Sequence, residues 1–178
     1  MELVQAIKHK QYKQMKALYL EAFPANERKP FWLMKRKQKQ KETNMWCIMD
    51  GQAFIGLAIT MEAGDLVVLD YFAICKELRG KGYGTKALKL LKDMYQDRKL
   101  ILEIEDVEAE GPDQEMRVKR KSFYLANGLK EMGVKVTLYG VDMELLGVNC
   151  TVTFAEYKNV YTTLYGSAPD KYVVSRDA

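Results

Sequence analysis

The apolar positions of this chain switch between helical spacing and alternating or continuous runs, and the switches mark its elements. Glu2 to Ile7 reads as a short strand. Tyr12 to Phe23 sets Met15, Leu18, Tyr19 and Phe23 at helical spacing, and Pro24 ends the run. A second helix begins around Phe31, Trp32, Leu33 and Met34 and enters Lys35-Arg36-Lys37-Gln38-Lys39-Gln40-Lys41. A meander follows: Met45 to Met49, a tight turn at Asp50-Gly51, then Ala53 to Met61. After a turn at Glu62 to Asp65, Leu66 to Ile74 is almost wholly apolar, the pattern of a central strand buried on both faces. Arg79 to Gly84 is a glycine-rich loop. Gly84 to about Tyr95 is an amphipathic helix with Ala87, Leu88, Leu91, Met94 and Tyr95 on one face. Leu100 to Glu105 is a further strand, Asp106 to Asp113 an acidic loop, and Gln114 to Asn127 a helix stopped by Gly128. Strands are predicted near Lys135 to Val141 and Asn149 to Phe154, a helix over Glu156 to Tyr165, and a frayed tail beyond Gly166. The order predicts one domain over residues 1–178, an α/β sandwich around a mixed sheet.

Composition narrows the chemistry. A net charge of +4 is too weak to argue for nucleic acid and suits a small anionic ligand equally well. The basic run Lys35 to Lys41 lacks interleaved aromatics and reads as a solvated helix face, so no nucleic acid is expected. Cys47, Cys75 and Cys150 form no CxxC pair and read as three reduced thiols. With His9 as the single histidine, a His-rich metal site and a Ser-His-Asp or Cys-His nucleophile are set aside, and no metal is expected. The opening MELVQAIKHK has no apolar core of a signal peptide, and no stretch approaches the roughly 18 apolar residues of a membrane span. A cytoplasmic location without membrane contact follows as the expectation.

The segment Arg79-Gly80-Lys81-Gly82-Tyr83-Gly84-Thr85 joins a strong strand to an amphipathic helix. The first N–H groups of a helix have no intrahelical acceptor and point along its positive end, where an anion can accept them. Glycines let backbone approach a phosphate without a Cβ in the way. Arg79 and Lys81 add charge and Thr85 a hydroxyl, so the implied ligand is a phosphate or pyrophosphate. A dinucleotide fingerprint G-x-G-x-x-G/A fails from Gly80 but fits from Gly82 to Ala87. Its context is poor, because a meander precedes it in place of a βαβ unit. A P-loop is excluded by spacing.

Arg79, Gly82 and Gly84 also match R-x-x-G-x-G, and the loop resembles the acetyl-CoA pyrophosphate loop of GNAT acetyltransferases. Leu69-Asp70-Tyr71-Phe72-Ala73-Ile74 resembles the family's fourth strand. Arg120 to Leu129, with Phe123-Tyr124 and Gly128-Leu129, resembles its "FYxxxGF" helix, Leu129 replacing the usual Phe. The resemblance spans about Met45 to Phe154. It implies a GNAT-like mixed, mostly antiparallel central sheet flanked by helices. It also implies acetyl-CoA as cosubstrate, held by Arg79 to Thr85 and by main-chain contacts along Phe72, Ala73 and Ile74. The activity implied is transfer of the acetyl group to a primary amine by direct attack in a ternary complex.

Such a transfer asks for a neutral amine placed about 3–3.5 Å from the thioester carbonyl, an oxyanion donor, and a proton for the leaving thiolate. By resemblance Tyr124 supplies that proton; packing in the core beside Phe123 is the plainer alternative. In Leu102-Glu103-Ile104-Glu105, alternation puts Glu103 and Glu105 on one face. They either line the acceptor cleft, one relaying a proton through water, or pair with Arg117 or Arg120. Glu27 is a weaker candidate, and the Asp106 to Glu110 loop could add negative charge at the acceptor entrance. The expected acceptor is a cationic small molecule or peptide amine, and a homodimer stays open. The alternative function is a catalytically silent domain that binds CoA as a sensor.

Overall fold

The structure is a computed structural model that describes residues 1–110, 113–148 and 150–176, less the side chain of Asn26. Gly111 and Pro112 of the expected acidic loop, and Asn149 of the last expected strand, lie outside the described residues.

The apolar run Leu66–Ile74 forms β4 of an eight-stranded sheet ordered β1-β2-β3-β4-β5-β7-β6-β8. The other strands are β1 (Glu2–Gln5), β2 (Thr43–Asp50), β3 (Ala53–Ala63), β5 (Lys99–Glu105), β6 (Lys130–Leu138), β7 (Val141–Val148) and β8 (Val173–Ser175). Helices α1 (His9–Ala22), α2 (Phe31–Lys39), α3 (Tyr83–Met94), α4 (Gln114–Ala126) and α5 (Phe154–Tyr165) flank it. The β1–β2, β2–β3, β5–β7, β6–β7 and β6–β8 pairings are antiparallel. The chain divides into two compact units, Met1–Met61 with Leu69–Met94, and Glu62–Val68 with Tyr95–Ala178.

In the first unit, alternation sends Met45 and Cys47 to one face of β2 and Ile48 to the other. The first face meets Met15, Leu18 and Tyr19 of α1 and Met34 of α2. The second joins Ile55 and Ile74 to Ala87 of α3. Each fully buried Leu or Met there contributes about 1.5–3 kcal/mol. The α1–α2 connection is pinned by a buried polar group. Lys29 Nζ donates to both Asp70 oxygens at 2.7 and 2.8 Å, with side chains 12% and 6% exposed. The Tyr71 hydroxyl donates to the Glu27 carbonyl and accepts from the Lys29 N–H. The Tyr19 hydroxyl donates to the Lys29 carbonyl.

In the second unit, α5 opens with a reciprocal cap: the Thr153 hydroxyl accepts from the Glu156 N–H, and Glu156 accepts from the Thr153 N–H. Two expectations are corrected here. The last strand before α5 is Val141–Val148, and Thr151 to Thr153 lead into the helix as coil. The tail is ordered: a 3-10 turn over Ala168–Lys171 leads into β8, whose Val173, Val174 and Ser175 face Leu138, Thr137 and Val136. Arg176 then binds Asp106 at 2.7 Å.

Candidate functional site

Strand β4 runs into a 3-10 turn (Lys76–Leu78), then the glycine loop, then α3. Gly80 and Gly82 have φ of +74° and +79°, a left-handed conformation that side chains resist. A Cβ at either would meet nothing within 4 Å, so the glycines answer to backbone conformation, and their outer side is open. The Lys86 N–H reaches the Gly82 carbonyl at 3.2 Å. The N–H groups of Tyr83, Gly84 and Thr85 therefore precede the first turn's bonds and form the positive end of a 12-residue helix. Arg79, Lys81 and Thr85 are exposed around it, while Tyr83 and Gly84 are half-buried. The loop thus sets exposed cationic and hydroxyl side chains around the positive end of a helix.

Two details here were not legible in the sequence. Arg79 Nε donates to the Ile74 carbonyl at 3.0 Å, so this arginine ties the loop back to the end of β4. A Cβ at Gly56 would collide with the Ala73 carbonyl oxygen, so Gly56 permits close approach of β3 to β4. The Ala73 carbonyl thus lies on the β3 side. By alternation the main chains of Phe72 and Ile74 point the other way. Of the three residues expected along the pantetheine arm, the outer two present their backbone away from β3.

Tyr124, Glu103 and Glu105 belong to the second unit. Tyr124 lies on α4, 8% exposed, its ring edge-on to Phe123 at 5.2 Å. Its hydroxyl makes no hydrogen bond among the described residues. Burial pushes the phenol up to about 12, against the opposing pull of Arg120. It stays protonated across any physiological pH. Glu103 Oε1 accepts from the hydroxyls of Tyr157 and Tyr161, both at 2.7 Å. Glu105 is bound by Arg117 at 3.2 Å and Arg120 at 2.9 Å. The pairing alternative therefore holds for Glu105. The two tyrosines on Glu103 were missed; their spacing of four on one helix was the available signal. Asp106, placed by the sequence at an acidic entrance, is 1% exposed. Burial raises its carboxyl, but the Glu108 N–H, Arg176 and Lys135 together hold it below the ordinary value. Its charge is thus spent inside the fold. Glu27 sits exposed on a 3-10 turn (Ala25–Glu27).

The three thiols are unpaired. No described helix is long and apolar enough to cross a membrane.

No curated protein matches the chain. Solved structures match its fold. A GNAT-family protein from Bacteroides thetaiotaomicron superposes with a TM-score of 0.79 at 22% identity, over 93% of this chain and 99% of that one. A spermidine N-acetyltransferase chimera from Vibrio cholerae gives 0.65 at 16% identity, over 83% and 96%. A Bacillus subtilis acetyltransferase solved with CoA gives 0.59 at 12% identity, over 84% and 98%. The family profile described as "Acetyltransferase (GNAT) family" matches residues 12–113, more than half the sequence and the whole strand–loop–helix unit around Gly82. This chain belongs to the GNAT acetyltransferase family.

Proposed function

We propose that the protein transfers the acetyl group of acetyl-CoA to a primary amine. The observation that carries this reading is the glycine loop: two left-handed glycines and three N–H groups ahead of the first intrahelical bond of α3, in a GNAT chain. Gly80, Lys81, Gly82, Tyr83, Gly84 and Thr85 take the pyrophosphate through backbone N–H groups, with the Lys81 ammonium and Thr85 hydroxyl alongside. Arg79 holds the loop to Ile74 through Nε and offers its terminal nitrogens to the same phosphates. The outward main chains of Phe72 and Ile74 pair with the pantetheine amides, and Ala73 keeps the strand in register against β3.

In the reaction the neutral amine attacks the thioester carbonyl carbon. A C–N bond forms, the C–S bond breaks, and the electron pair leaves on sulfur. Tyr124, kept protonated by burial, gives the thiolate its proton, and the proton lost by the acylated nitrogen restores the phenol by way of solvent. Glu103, its carboxylate oriented by two phenol hydroxyls, draws the ammonium form of the acceptor and takes its proton through water. Glu105 is committed to Arg117 and Arg120 and acts as a positioning residue for α4, the helix that carries Tyr124. The acceptor class is a cationic amine, small molecule or peptide.

The test is thiol release from acetyl-CoA with a panel of polyamines, amino sugars and lysine- or N-terminal-amine peptides. Turnover with one class above the hydrolysis background supports the reading. Acetyl-CoA binding without turnover on any amine leaves the protein a CoA-binding sensor.

A further inference from the structure

The basic run of α2 is one half of a larger feature. No acidic residue occurs from Leu3 to Leu20, nor from Arg28 to Lys41. The two helices in these stretches are joined: the Tyr12 hydroxyl donates to Gln38 Oε1 at 3.0 Å, and Gln38 Nε2 donates to the Ala6 carbonyl at 2.9 Å. Lys35 Nζ lies 4.2 Å from the Tyr12 ring centroid, which brings Lys35 of α2 onto α1. Lys10, Lys13 and Lys16 are exposed on α1; Arg36 and Lys39 are exposed on α2, with Lys35 half-buried on Tyr12. None of these six has a carboxylate within ion-pair distance among the described residues. Elsewhere many cations are matched: Arg98, Lys99, Arg117, Lys121, Lys135 and Arg176 all sit in ion pairs. A set of cations left without counter-ions beside paired ones elsewhere points to a counter-charge from a partner.

Trp32 identifies the partner. The linear run shows no interleaved aromatic, but helical spacing places Trp32 one turn before Lys35 and Arg36 and two before Lys39. Its indole is 64% exposed and carries the Arg36 guanidinium 5.5 Å from its centroid. The apolar faces of both helices pack on the core through Met15, Leu18, Tyr19 and Met34, and among the described residues only Leu20 and Trp32 remain as exposed large apolar side chains of the two helices, too few for a membrane-inserting face. What faces outward is phosphate-binding charge around one stackable ring. We infer that the α1–α2 surface binds single-stranded nucleic acid, cations on the phosphates and Trp32 on a base. Unstacked bases are what RNA loops and single strands offer and a DNA duplex does not.

The experiment is fluorescence anisotropy of a labelled 20-nucleotide oligouridine with the full chain over a salt series. The inference predicts binding at 50 mM salt with a log–log slope of about −4 for six phosphate contacts. Lys13→Glu/Lys16→Glu/Arg36→Glu/Lys39→Glu lowers affinity more than about tenfold and flattens the slope. Trp32→Ala lowers it roughly tenfold and abolishes the quench of tryptophan emission on binding. Both variants keep the parent's thermal midpoint within a few degrees, and Gly82→Asp binds RNA as the parent does. Unchanged affinity in the charge-reversed variant, loss of RNA binding in Gly82→Asp, or preference for duplex DNA or phosphatidylserine vesicles over the oligouridine would overturn the inference.

Discussion

Replacing Lys29 by Met tests whether the polar group under the α1–α2 connection is held by its ion pair. Both partners are nearly out of solvent, and the ammonium contacts both carboxylate oxygens. Removing one side of such a pair strands the other, at a cost of about 3–5 kcal/mol. A domain of ordinary stability has about 5–15 kcal/mol in all, so the loss is a large fraction. It moves the urea midpoint down by about 1–2 M. The pH dependence carries a second, independent sign. Burial holds the Asp70 carboxyl above its ordinary value, against the pull of Lys29. Without Lys29 it rises further. A carboxyl raised in the folded state keeps its proton after the unfolded chain has lost it near pH 4. Stability is therefore lost as pH climbs through the folded value. Lys29→Met should lie nearest the parent at about pH 4 and furthest from it at neutrality. Lys29→Met/Asp70→Asn, which removes the stranded charge, should recover much of the neutral-pH loss. Urea melts at several pH values decide it. A deficit under ~1 kcal/mol, or one that does not change with pH, refutes the reasoning.

Tyr124→Phe should lower turnover by about a hundredfold while leaving acetyl-CoA affinity within about twofold, because in the proposed reaction the hydroxyl serves only the departing thiolate. With the phenol raised to about 12, a basic limb of the pH–rate profile near 8 or 9 must belong to another group, and it should persist in this variant. Gly82→Asp forces a side chain into φ of +79° and adds a negative charge where phosphate is expected, so acetyl-CoA affinity should fall more than about tenfold. Gly82→Ala separates the charge effect: with no added charge, any loss there measures backbone strain together with the Cβ set between backbone and phosphate.

The first half of the fold was legible because its signals are local. Apolar runs bounded by Asp50-Gly51 and Gly64, and a glycine loop between a strand and an amphipathic helix, specify β2 to α3 almost without reference to the rest of the chain. The second half was less legible because its elements rest on distant partners. Strand β7 contains Glu144, 5% exposed, and an acid in the middle of a strand breaks the apolar pattern. Its partner is Lys121 on α4, at 2.7 Å. Strand β8 has three residues and no signal of its own; it is set by pairing with β6 and by Arg176 on Asp106, 70 residues away. The same division runs through the site. Sequence could place the glycine loop at the head of α3 and put Glu103 and Glu105 on one face. It could not foresee that Arg79 turns back onto Ile74, nor divide the carboxylates between two arginines and two tyrosines.

The most direct test of the central claim is isothermal titration of the purified protein with acetyl-CoA, with CoA and NADH as comparisons. Saturable binding of acetyl-CoA and CoA, with none of NADH, is the predicted result. No binding of either thioester or thiol at millimolar concentration would contradict it and reduce the glycine loop to a turn that starts α3.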